Sequence, residues 1–248
     1  MKKILVIRLK SIGDVVFTLP AVNALRRNFP DAKISFLTSE ENTDLLRGFP
    51  AVDEIIPIHR TALRSGNLFK MSGEFFSLLK KLGTANFSLV VDLQGYGETA
   101  WLARLTRASE RWGTVYRARS AWAYTRGIIR DNTRQIADAH LSLLQQCGIK
   151  TGLAQNHFSL PPASLVAARN FFNEQRLDCS SPTLFIQAFT STPHKNWGLE
   201  NFLAVAEHFR ARGMQIIFCG GPKEVEALGR AQAAGFAIAA SLPLLAAA

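Results

Sequence analysis

The first 29 residues constrain the fold more than any other segment, because they predict a buried strand, a tight turn and a helix in succession. Residues 4–7 form a short apolar run typical of a buried parallel strand. Asp14 then falls at or near a helix N-terminus at the carboxyl end of a strand, where open α/β sheets bind ligands. It is an N-cap, a ligand-facing carboxylate, or both, since a cap also faces the ligand. The helix is predicted from apolar residues at helical spacing and closes at Pro30: Val15, Leu19, Val22, Leu25 and Phe29.

The rest of the N-terminal half alternates strands with helices, a pattern that predicts a parallel sheet with right-handed crossovers. Segment 108–135 has no clean period and is predicted to form surface loops. The predicted strands are 33–38, 53–58 and 87–92, and the predicted helices are 43–47, 69–82, 96–106 and 137–147.

A second α/β unit is predicted after a polar, proline-containing boundary at 152–162, which divides the chain into domains 1–155 and 163–248. Only two strands are predicted in it, whereas a free-standing doubly wound domain needs about five or six, so we expect an incomplete domain. The uncharged tail 231–248 approaches membrane-span length, but Gly235 and Pro243 disfavour a span. The predicted elements are helix 163–175, strand 183–187, helix 199–212, strand 215–219 and a helix opened by 220–222.

Composition indicates a globular chain, with 48% hydrophobic and 19% charged residues among 248. Three widely spaced cysteines, with no CxxC pair, argue against a disulfide framework or zinc site and favour a reducing compartment. Arg8 and Lys10 interrupt the N-terminal apolar run, so no signal peptide is predicted and the cytoplasm is the expected location.

The net charge of +10 is concentrated in one segment. Residues 104–134 hold eight arginines against only Glu110 and Asp131, and five aromatic residues lie in or beside this segment. Three interpretations stay open: a solvated basic face, a patch for anionic lipid at a membrane surface, or a nucleic-acid surface, which no known nucleic-acid motif supports. The aromatic residues are Trp101, Trp112, Tyr116, Trp122 and Tyr124.

Three motifs carry a resemblance to a known family. Residues 7–21, with the sequence IRLKSIGDVVFTLPA, strongly resemble the opening of the lipopolysaccharide heptosyltransferases, glycosyltransferase family 9. Residues 189–197, FTSTPHKNW, are similar to the segment that opens the C-terminal domain of that family, and residues 91–95, VDLQG, match a third segment. The resemblance covers the chain from residue 1 to about Glu226.

The resemblance implies a GT-B architecture, in which an N-terminal acceptor-binding domain and a C-terminal nucleotide-sugar-binding domain, both Rossmann-like, face a cleft. It implies inverting, metal-independent transfer of a heptose from ADP-heptose to the inner core of lipopolysaccharide. No cofactor and no nucleic-acid partner are expected, and the enzyme would be peripheral on the cytoplasmic face of the inner membrane. The family's later nucleotide-gripping segment, which carries glycine and histidine, is not found, so we expect a truncated chain. The alternative is a non-catalytic fragment that binds anionic lipid or sugar phosphate.

The predicted catalytic residues are Asp14 and Lys195. The resemblance makes Asp14 the base for the acceptor hydroxyl. Its charged form is stabilised at a helix N-terminus, so it is a weak base until the sugar desolvates it. Lys195 would neutralise the departing diphosphate. Together with Thr190, Ser191 and Thr192 it would form the donor-phosphate cradle before a helix start.

The predicted acceptor contacts follow the strands of the N-terminal unit, and they are Arg8, Lys10, Arg60, Gln94 and Gly95. Gln94 and Gly95 have an equally good structural interpretation as a tight turn that needs a glycine. No histidine or carboxylate spacing predicts a metal site.

Overall fold

The computed structural model describes residues 1–58, 68–116, 118–153, 156–190 and 192–240. Two compact units make up the chain, Met1–Ser159 and Leu160–Ala248. We call them the N-terminal unit and the C-terminal unit. The division falls between residues 155 and 163, where the sequence predicts a linker.

A six-stranded parallel sheet forms the centre of the N-terminal unit, in the order β3-β2-β1-β4-β5-β6. Strand β1 lies inside the sheet, and its residues from Ile4 to Ile7 are fully buried, as expected for an apolar run covered on both faces. The predicted α/β class with a parallel sheet is therefore confirmed. The strands are β1 (Lys3–Ile7), β2 (Lys33–Ser39), β3 (Glu54–Ile58), β4 (Leu89–Asp92), β5 (Glu110–Val115) and β6 (Arg126–Ile129).

The single helix predicted over 15–29 is wrong, because two helices occupy this segment and meet near Thr18. Pro20 has no N–H to donate to the Val16 carbonyl, so one continuous helix cannot form there. Instead the Thr18 N–H and hydroxyl both donate to the Val15 carbonyl, at 2.9 and 2.6 Å. The helices described in this unit are α1 (Ile12–Val16), α2 (Leu19–Asn28), α3 (Thr43–Leu46), α4 (Leu68–Thr84), α5 (Gly97–Leu105) and α6 (Ile136–Gln146).

The prediction of surface loops over 108–135 is also wrong, since β5, a 3-10 helix (Ala118–Ala123) and β6 lie there. Strand β6 is an edge strand with mostly exposed side chains, which leaves no apolar alternation for a pattern to show. Strand β5 begins with charged residues and becomes buried only from Trp112 onward. Its Gly113 passes under the Tyr124 ring, where a Cβ would lie 2.2 Å from a ring carbon.

The C-terminal unit contains a three-stranded parallel sheet, in the order β7-β8-β9, one strand more than predicted. Strand β9 is three small or apolar residues long, too short for its pattern to be recognised. The helix predicted to open at 220–222 is instead a 3-10 turn (Pro222–Glu224), and a short helix follows later. The elements are α7 (Pro162–Glu174), β7 (Thr183–Gln187), α8 (Leu199–Arg210), β8 (Gln215–Cys219), α9 (Gly229–Ala233) and β9 (Ala237–Ala239).

Within the described residues, none of the helices is both long and apolar enough to cross a membrane. The last part of the predicted tail, residues 241–248, lies outside those residues.

The turn from β4 to α5 brings Gly95 against the neighbouring strand. Gly95 has a φ of +74°, and a Cβ there would lie 2.2 Å from the Thr114 carbonyl oxygen. The Asp92 carboxylate closes the turn, since its Oδ1 accepts hydrogen bonds from the Gln94 and Gly95 N–H groups at 2.9 and 3.0 Å. Both the backbone conformation and the close approach therefore require glycine.

We expect Gly95→Ala to lower the free energy of unfolding by at least about 2 kcal/mol, because the substitution adds strain at positive φ to a backbone clash. Urea unfolding followed by circular dichroism would measure the change. Gly97→Ala is the matched control, since a Cβ at Gly97 has no neighbour within 4 Å. Equal stability of the two variants would contradict the assignment.

Candidate functional site

The β1–α1 turn places Asp14 as the third residue of a five-residue helix. Ser11 occupies the N-cap position, so the N-cap interpretation of Asp14 is wrong. The Asp14 Oδ2 atom accepts hydrogen bonds from the Ser11 N–H at 3.1 Å and from the Ser11 hydroxyl at 3.2 Å. The carboxylate thus bonds back to the turn that precedes its own helix, as in a capping box.

Arg8 holds the same carboxylate from the strand side. Its Nη2 lies 2.9 Å from the Asp14 Oδ2, in an ion pair whose arginine side chain is 8% exposed. Its Nη1 donates to the Leu93 carbonyl at 2.7 Å, and its Nε donates to the Lys10 carbonyl at 2.8 Å. All three guanidinium nitrogens are therefore engaged within the protein. In this structure Arg8 orients Asp14 rather than offering a free cation to an acceptor, whereas Lys10 has an exposed side chain.

Two opposing effects set the pKa of Asp14. Partial burial acts to raise it, but the Arg8 charge and the hydrogen bonds from Ser11 and Arg8 outweigh burial and hold the pKa below its ordinary value. Asp14 is therefore ionised at neutral pH, the form that can accept a proton. Its low proton affinity agrees with the weak base expected at a helix start.

Gln94 fastens the same turn from the neighbouring strand. Its Oε1 accepts hydrogen bonds from the Leu9 N–H at 2.8 Å and from the Lys10 N–H at 3.2 Å, and the residue is 1% exposed. The structure thus brings Arg8, Lys10, Asp14 and Gln94 together at the carboxyl ends of β1 and β4. Gln94 Nε2 is buried without a partner among the described residues.

A buried acid–phenol pair supports this edge of the sheet, and the sequence assigned it no role. The Tyr124 hydroxyl donates to the Asp92 Oδ2 at 2.6 Å, and both residues are buried. Burial raises the pKa of Asp92, although hydrogen bonds from Tyr124 and the Gly95 N–H oppose the rise. Burial and the Asp92 charge also raise the pKa of Tyr124. In the sequence, the one indication of this pair was that Asp92 ends an apolar strand.

The predicted donor loop lies in the C-terminal unit, between β7 and α8. The Thr190 N–H donates to the Asn196 Oδ1 at 2.8 Å, a partner that the sequence did not suggest. The Thr190 hydroxyl donates to the Thr192 carbonyl at 2.9 Å and accepts from the Thr192 N–H at 3.2 Å. Lys195 ends a 3-10 turn (Pro193–Lys195) with an exposed side chain. Thr190, Thr192 and Lys195 therefore belong to one ordered loop that presents a cation.

Two predicted site residues, Arg60 and Ser191, lie outside the described residues. Among the residues that are described, no three histidine, cysteine or carboxylate side chains cluster closely enough to hold a metal ion.

Four of the five aromatic residues of the arginine-rich segment divide into a buried and an exposed pair, and the fifth, Tyr116, is 37% exposed. Trp112 and Tyr124 are buried, so they are not part of a surface patch. Trp101 and Trp122 are 59% and 52% exposed, and their rings meet edge to face at 5.3 Å. Arg111 donates to the Ala123 carbonyl at 2.9 Å, beside this pair. Burial and the Arg104 charge together lower the pKa of Arg111, so the positive charges of Arg104 and Arg111 lie close to each other.

Comparison with known proteins identifies the family. The model of glycosyltransferase family 9 (heptosyltransferase) matches residues 75–247, most of the chain. The chain belongs to glycosyltransferase family 9. Lipopolysaccharide heptosyltransferase 3 of Escherichia coli is 25% identical over 213 residues, which cover 85% of this chain and 61% of that protein. Lipopolysaccharide heptosyltransferase 1 of Pseudomonas aeruginosa is 31% identical over 104 residues, or 41% of this chain and 29% of that protein.

The chain spans about three fifths of the length of the first curated relatives that it matches. Solved structures of the family show the same fold. A glycosyl transferase family 9 protein of Veillonella parvula superposes with a TM-score of 0.85 at 23% identity, covering 99% of this chain and 71% of that one. Escherichia coli heptosyltransferase WaaC, solved with ADP-2-deoxy-2-fluoro heptose, gives 0.77 at 21% identity, covering 98% and 77%. These likenesses confirm the predicted GT-B-type fold class.

We expect Arg8→Gln to raise the pKa of Asp14, because the substitution removes the charge that lowers it while burial, which raises it, remains. The stability that the wild-type ion pair contributes is present above about pH 4 and is lost as the pH falls through the lowered folded pKa. Carboxyl-carbon NMR titration would measure the pKa, with Asp14→Asn to assign the signal. Lys10→Gln should leave it nearly unchanged, and an unchanged pKa in Arg8→Gln would contradict the analysis.

Proposed function

We propose that this protein is a glycosyltransferase that moves a heptose from ADP-heptose to the inner core of lipopolysaccharide. The observation that carries the proposal is the Asp14 carboxylate, ionised and oriented by Arg8 at the carboxyl end of a parallel sheet. Membership of glycosyltransferase family 9 supports the type of reaction. The heptosyltransferase WaaC, whose structure contains an ADP-heptose analogue, supports the donor.

The proposed reaction is a single displacement that inverts the anomeric carbon of the heptose. Asp14 accepts the proton of the acceptor hydroxyl as that oxygen forms a bond to the anomeric carbon. The bond between this carbon and the diphosphate oxygen breaks, and the electron pair leaves with ADP. An ionised carboxylate of low pKa serves only if sugar binding removes water from it and raises its proton affinity.

The departing diphosphate needs positive charge, and we assign that role to Lys195. Its exposed ammonium follows the ordered turn of Thr190 and Thr192, whose hydroxyls and backbone groups would surround the phosphates. A lysine in this role allows transfer without a divalent cation. In this proposal the N-terminal unit binds the acceptor through Lys10 and Gln94, together with Gly95 and Arg60, while Arg8 holds Asp14 in place. The C-terminal unit binds the donor, with Ser191 in the same loop.

A non-catalytic role is the second candidate, favoured by the exposed Lys10 next to the Asp14 turn, since this cation can bind an anionic group without any transfer. In that case the N-terminal unit would bind an anionic lipid or sugar phosphate, and no transfer would follow. The two candidates differ in donor binding and turnover, which can be measured separately.

Calorimetry with ADP-heptose tests the donor site. We expect micromolar binding by the wild type and at least about tenfold weaker binding by Lys195→Ala, because a charge-assisted contact to phosphate is lost. Lys223 is an exposed lysine of the same unit, so Lys223→Ala is the matched control and should bind ADP-heptose like the wild type.

Asp14→Asn tests the proposed base. This variant should keep its affinity for ADP-heptose, and its rate of transfer to a lipopolysaccharide acceptor should fall roughly 100-fold or more. If the wild type does not bind ADP-heptose, the proposed transferase activity is rejected and the non-catalytic role is favoured.

We also propose that the protein acts at the cytoplasmic face of the inner membrane as a peripheral protein. The exposed Trp101–Trp122 pair beside Arg104 and Arg111 supports this location, since interfacial tryptophans and cations both favour an anionic bilayer surface. A lipid-linked acceptor would be presented at that surface.

Vesicle sedimentation tests the surface. We expect the wild type to bind phosphatidylglycerol-containing vesicles more tightly than phosphatidylcholine vesicles, and salt to weaken that binding. Replacing both Trp101 and Trp122 by serine should weaken binding by about tenfold or more. Trp197→Ser is the matched control, because Trp197 is equally exposed at 59% and also meets a ring, Phe202, edge to face. If the Trp101/Trp122 variant and Trp197→Ser lose the same affinity for these vesicles, the assignment of the membrane surface to Trp101 and Trp122 is contradicted.

A further inference from the structure

A cavity of about 270 Å³ lies in the N-terminal unit, at the edge of the sheet opposite to Asp14. Arg26 and Arg27 at the end of α2, and Pro50 before β3, belong to the edge where the strands begin, whereas Asp14 follows the end of β1. The five residues of β1, at about 3.3 Å each, separate the two edges by about 16 Å. The cavity is therefore distinct from the candidate site. It is lined by Asn23, Arg26, Arg27, Pro50, Ala51 and His157.

Arg26 holds one wall of the cavity in place. Its Nη1 donates to the Pro30 and Ala32 carbonyls at 2.9 and 2.7 Å, and its Nη2 donates to the Ala51 carbonyl at 3.1 Å. Nη2 also forms an ion pair with the Asp53 carboxylate. These bonds join the end of α2 to the turn before β3, so the wall is formed by the fold itself.

The chain after α6 closes another side of the cavity and is anchored to α2. The Asn28 Nδ2 donates to the Lys150 carbonyl at 2.8 Å, and the Asn28 Oδ1 accepts from the Lys150 N–H at 3.2 Å. The Arg27 Nη2 donates to the Thr151 carbonyl at 2.9 Å. Arg27 therefore lines the cavity while it holds the segment that crosses α2.

A second anchor, farther along the chain, places His157. The Ser159 N–H donates to the Gly48 carbonyl at 2.9 Å, and the Phe158 ring meets the Phe49 ring edge to face at 5.9 Å. The Phe158 ring packs so closely that a Cβ at Gly48 would lie 2.4 Å from it. His157 thus reaches the cavity from a backbone that is fixed at the next two residues.

The lining of the cavity matches an organic anion. Three of the six lining residues carry basic side chains, namely Arg26, Arg27 and His157, and none of the six is acidic. Guanidinium and imidazole N–H groups bind carboxylate and phosphate oxygens. Pro50, Ala51 and the aliphatic stems of the arginines add apolar surface that suits a ring.

The volume of the cavity limits the size of the ligand. A volume of about 270 Å³ lies just below the range of about 300–1,000 Å³ typical of small-molecule sites. It equals the share of about nine water molecules at about 30 Å³ each. One ring with one charged group fits this space.

We propose that the cavity binds a small organic anion, made of a single ring that carries one carboxylate or phosphate group. Arg27 and His157 contact the charged group, and Pro50 and Ala51 contact the ring. The ligand joins α2 to the chain that leads into the C-terminal unit, because Arg27 belongs to the first and His157 to the second. This binding does not depend on the proposed glycosyl transfer.

Titration of the full chain with benzoate and with phenyl phosphate tests the site, since the two probes share a ring and differ in the charged group. Nuclear magnetic resonance of carbon-13-labelled alanine methyl groups follows Ala51 in the cavity wall, and Ala51→Gly assigns its signal. At equal ionic strength, we expect this signal to shift saturably with benzoate, with phenyl phosphate or with both. The tighter probe identifies a carboxylate or a phosphate source.

Benzyl alcohol is the neutral control, and we expect it to bind at least about tenfold more weakly than the preferred anion, because it has no charge to meet Arg27. An Ala51 signal that moves with neither anion would overturn the proposal. An equal affinity for benzyl alcohol would also overturn it.

Substitutions on the rim test the two proposed contacts. Arg27 and His157 are exposed, so Arg27→Gln and His157→Ala leave the core intact, and each should weaken binding of the preferred probe by at least about tenfold. Arg27→Lys keeps the charge and should retain part of the affinity. Arg47→Gln is the matched control, because Arg47 is also an exposed arginine of this unit, paired with Asp44 at 3.1 Å, and it should bind like the wild type. Unchanged affinity in either Arg27→Gln or His157→Ala would overturn the proposal.

The result is separate from catalysis. A saturable Ala51 shift in a chain that does not bind ADP-heptose would reject the proposed transfer and retain this site. Binding of ADP-heptose without an Ala51 response to either anion would do the reverse.

Discussion

The ion pair between Arg8 and Asp14, 2.9 Å apart, is the interaction on which the rest of the candidate site depends. It sets the charge state of the carboxylate, since the guanidinium outweighs the effect of burial on the Asp14 pKa. It also fixes the carboxylate in space, because Arg8 is itself bonded to the Leu93 and Lys10 carbonyls. A helix of five residues could not hold Asp14 in place by its own hydrogen bonds.

The neighbouring strand β4 supplies the second half of that support. Gln94 fastens the β1 turn through two backbone N–H groups, and Asp92 holds the turn that contains Gln94. Tyr124 donates a further hydrogen bond to Asp92, from a segment 32 residues away. The site is therefore built from a chain of buried hydrogen bonds that links Asp92, Gln94 and the backbone of the β1 turn. Gln94 Nε2 and both ring nitrogens of His140 are buried without a partner among the described residues.

The candidate donor loop of the C-terminal unit is held in place differently from the Asp14 turn. Thr190, Thr192 and Asn196 are joined there by short-range hydrogen bonds, and among the described residues of the loop none is a buried anchor comparable to Arg8. Lys195 is exposed, which agrees with the diphosphate contact that we propose for it. In the N-terminal unit, the Trp101–Trp122 pair is also exposed, which agrees with the bilayer contact that we propose, because such a contact needs apolar area open to solvent.

The sequence by itself determined the α/β class, most of the strands, and the turns that carry Asp14 and Lys195, because apolar periodicity and local turn chemistry act over a few residues. It did not determine how Arg8, Gln94 or Trp112 are used. The long-range partners of these side chains, or their burial, decide that, and no short pattern encodes either. Strand β6 and the break at Thr18 were missed for related reasons: an edge strand has no buried face, and a proline acts on a carbonyl one turn earlier. Only the tertiary structure decided which polar groups are satisfied and which, like the His140 ring nitrogens, have no partner among the described residues.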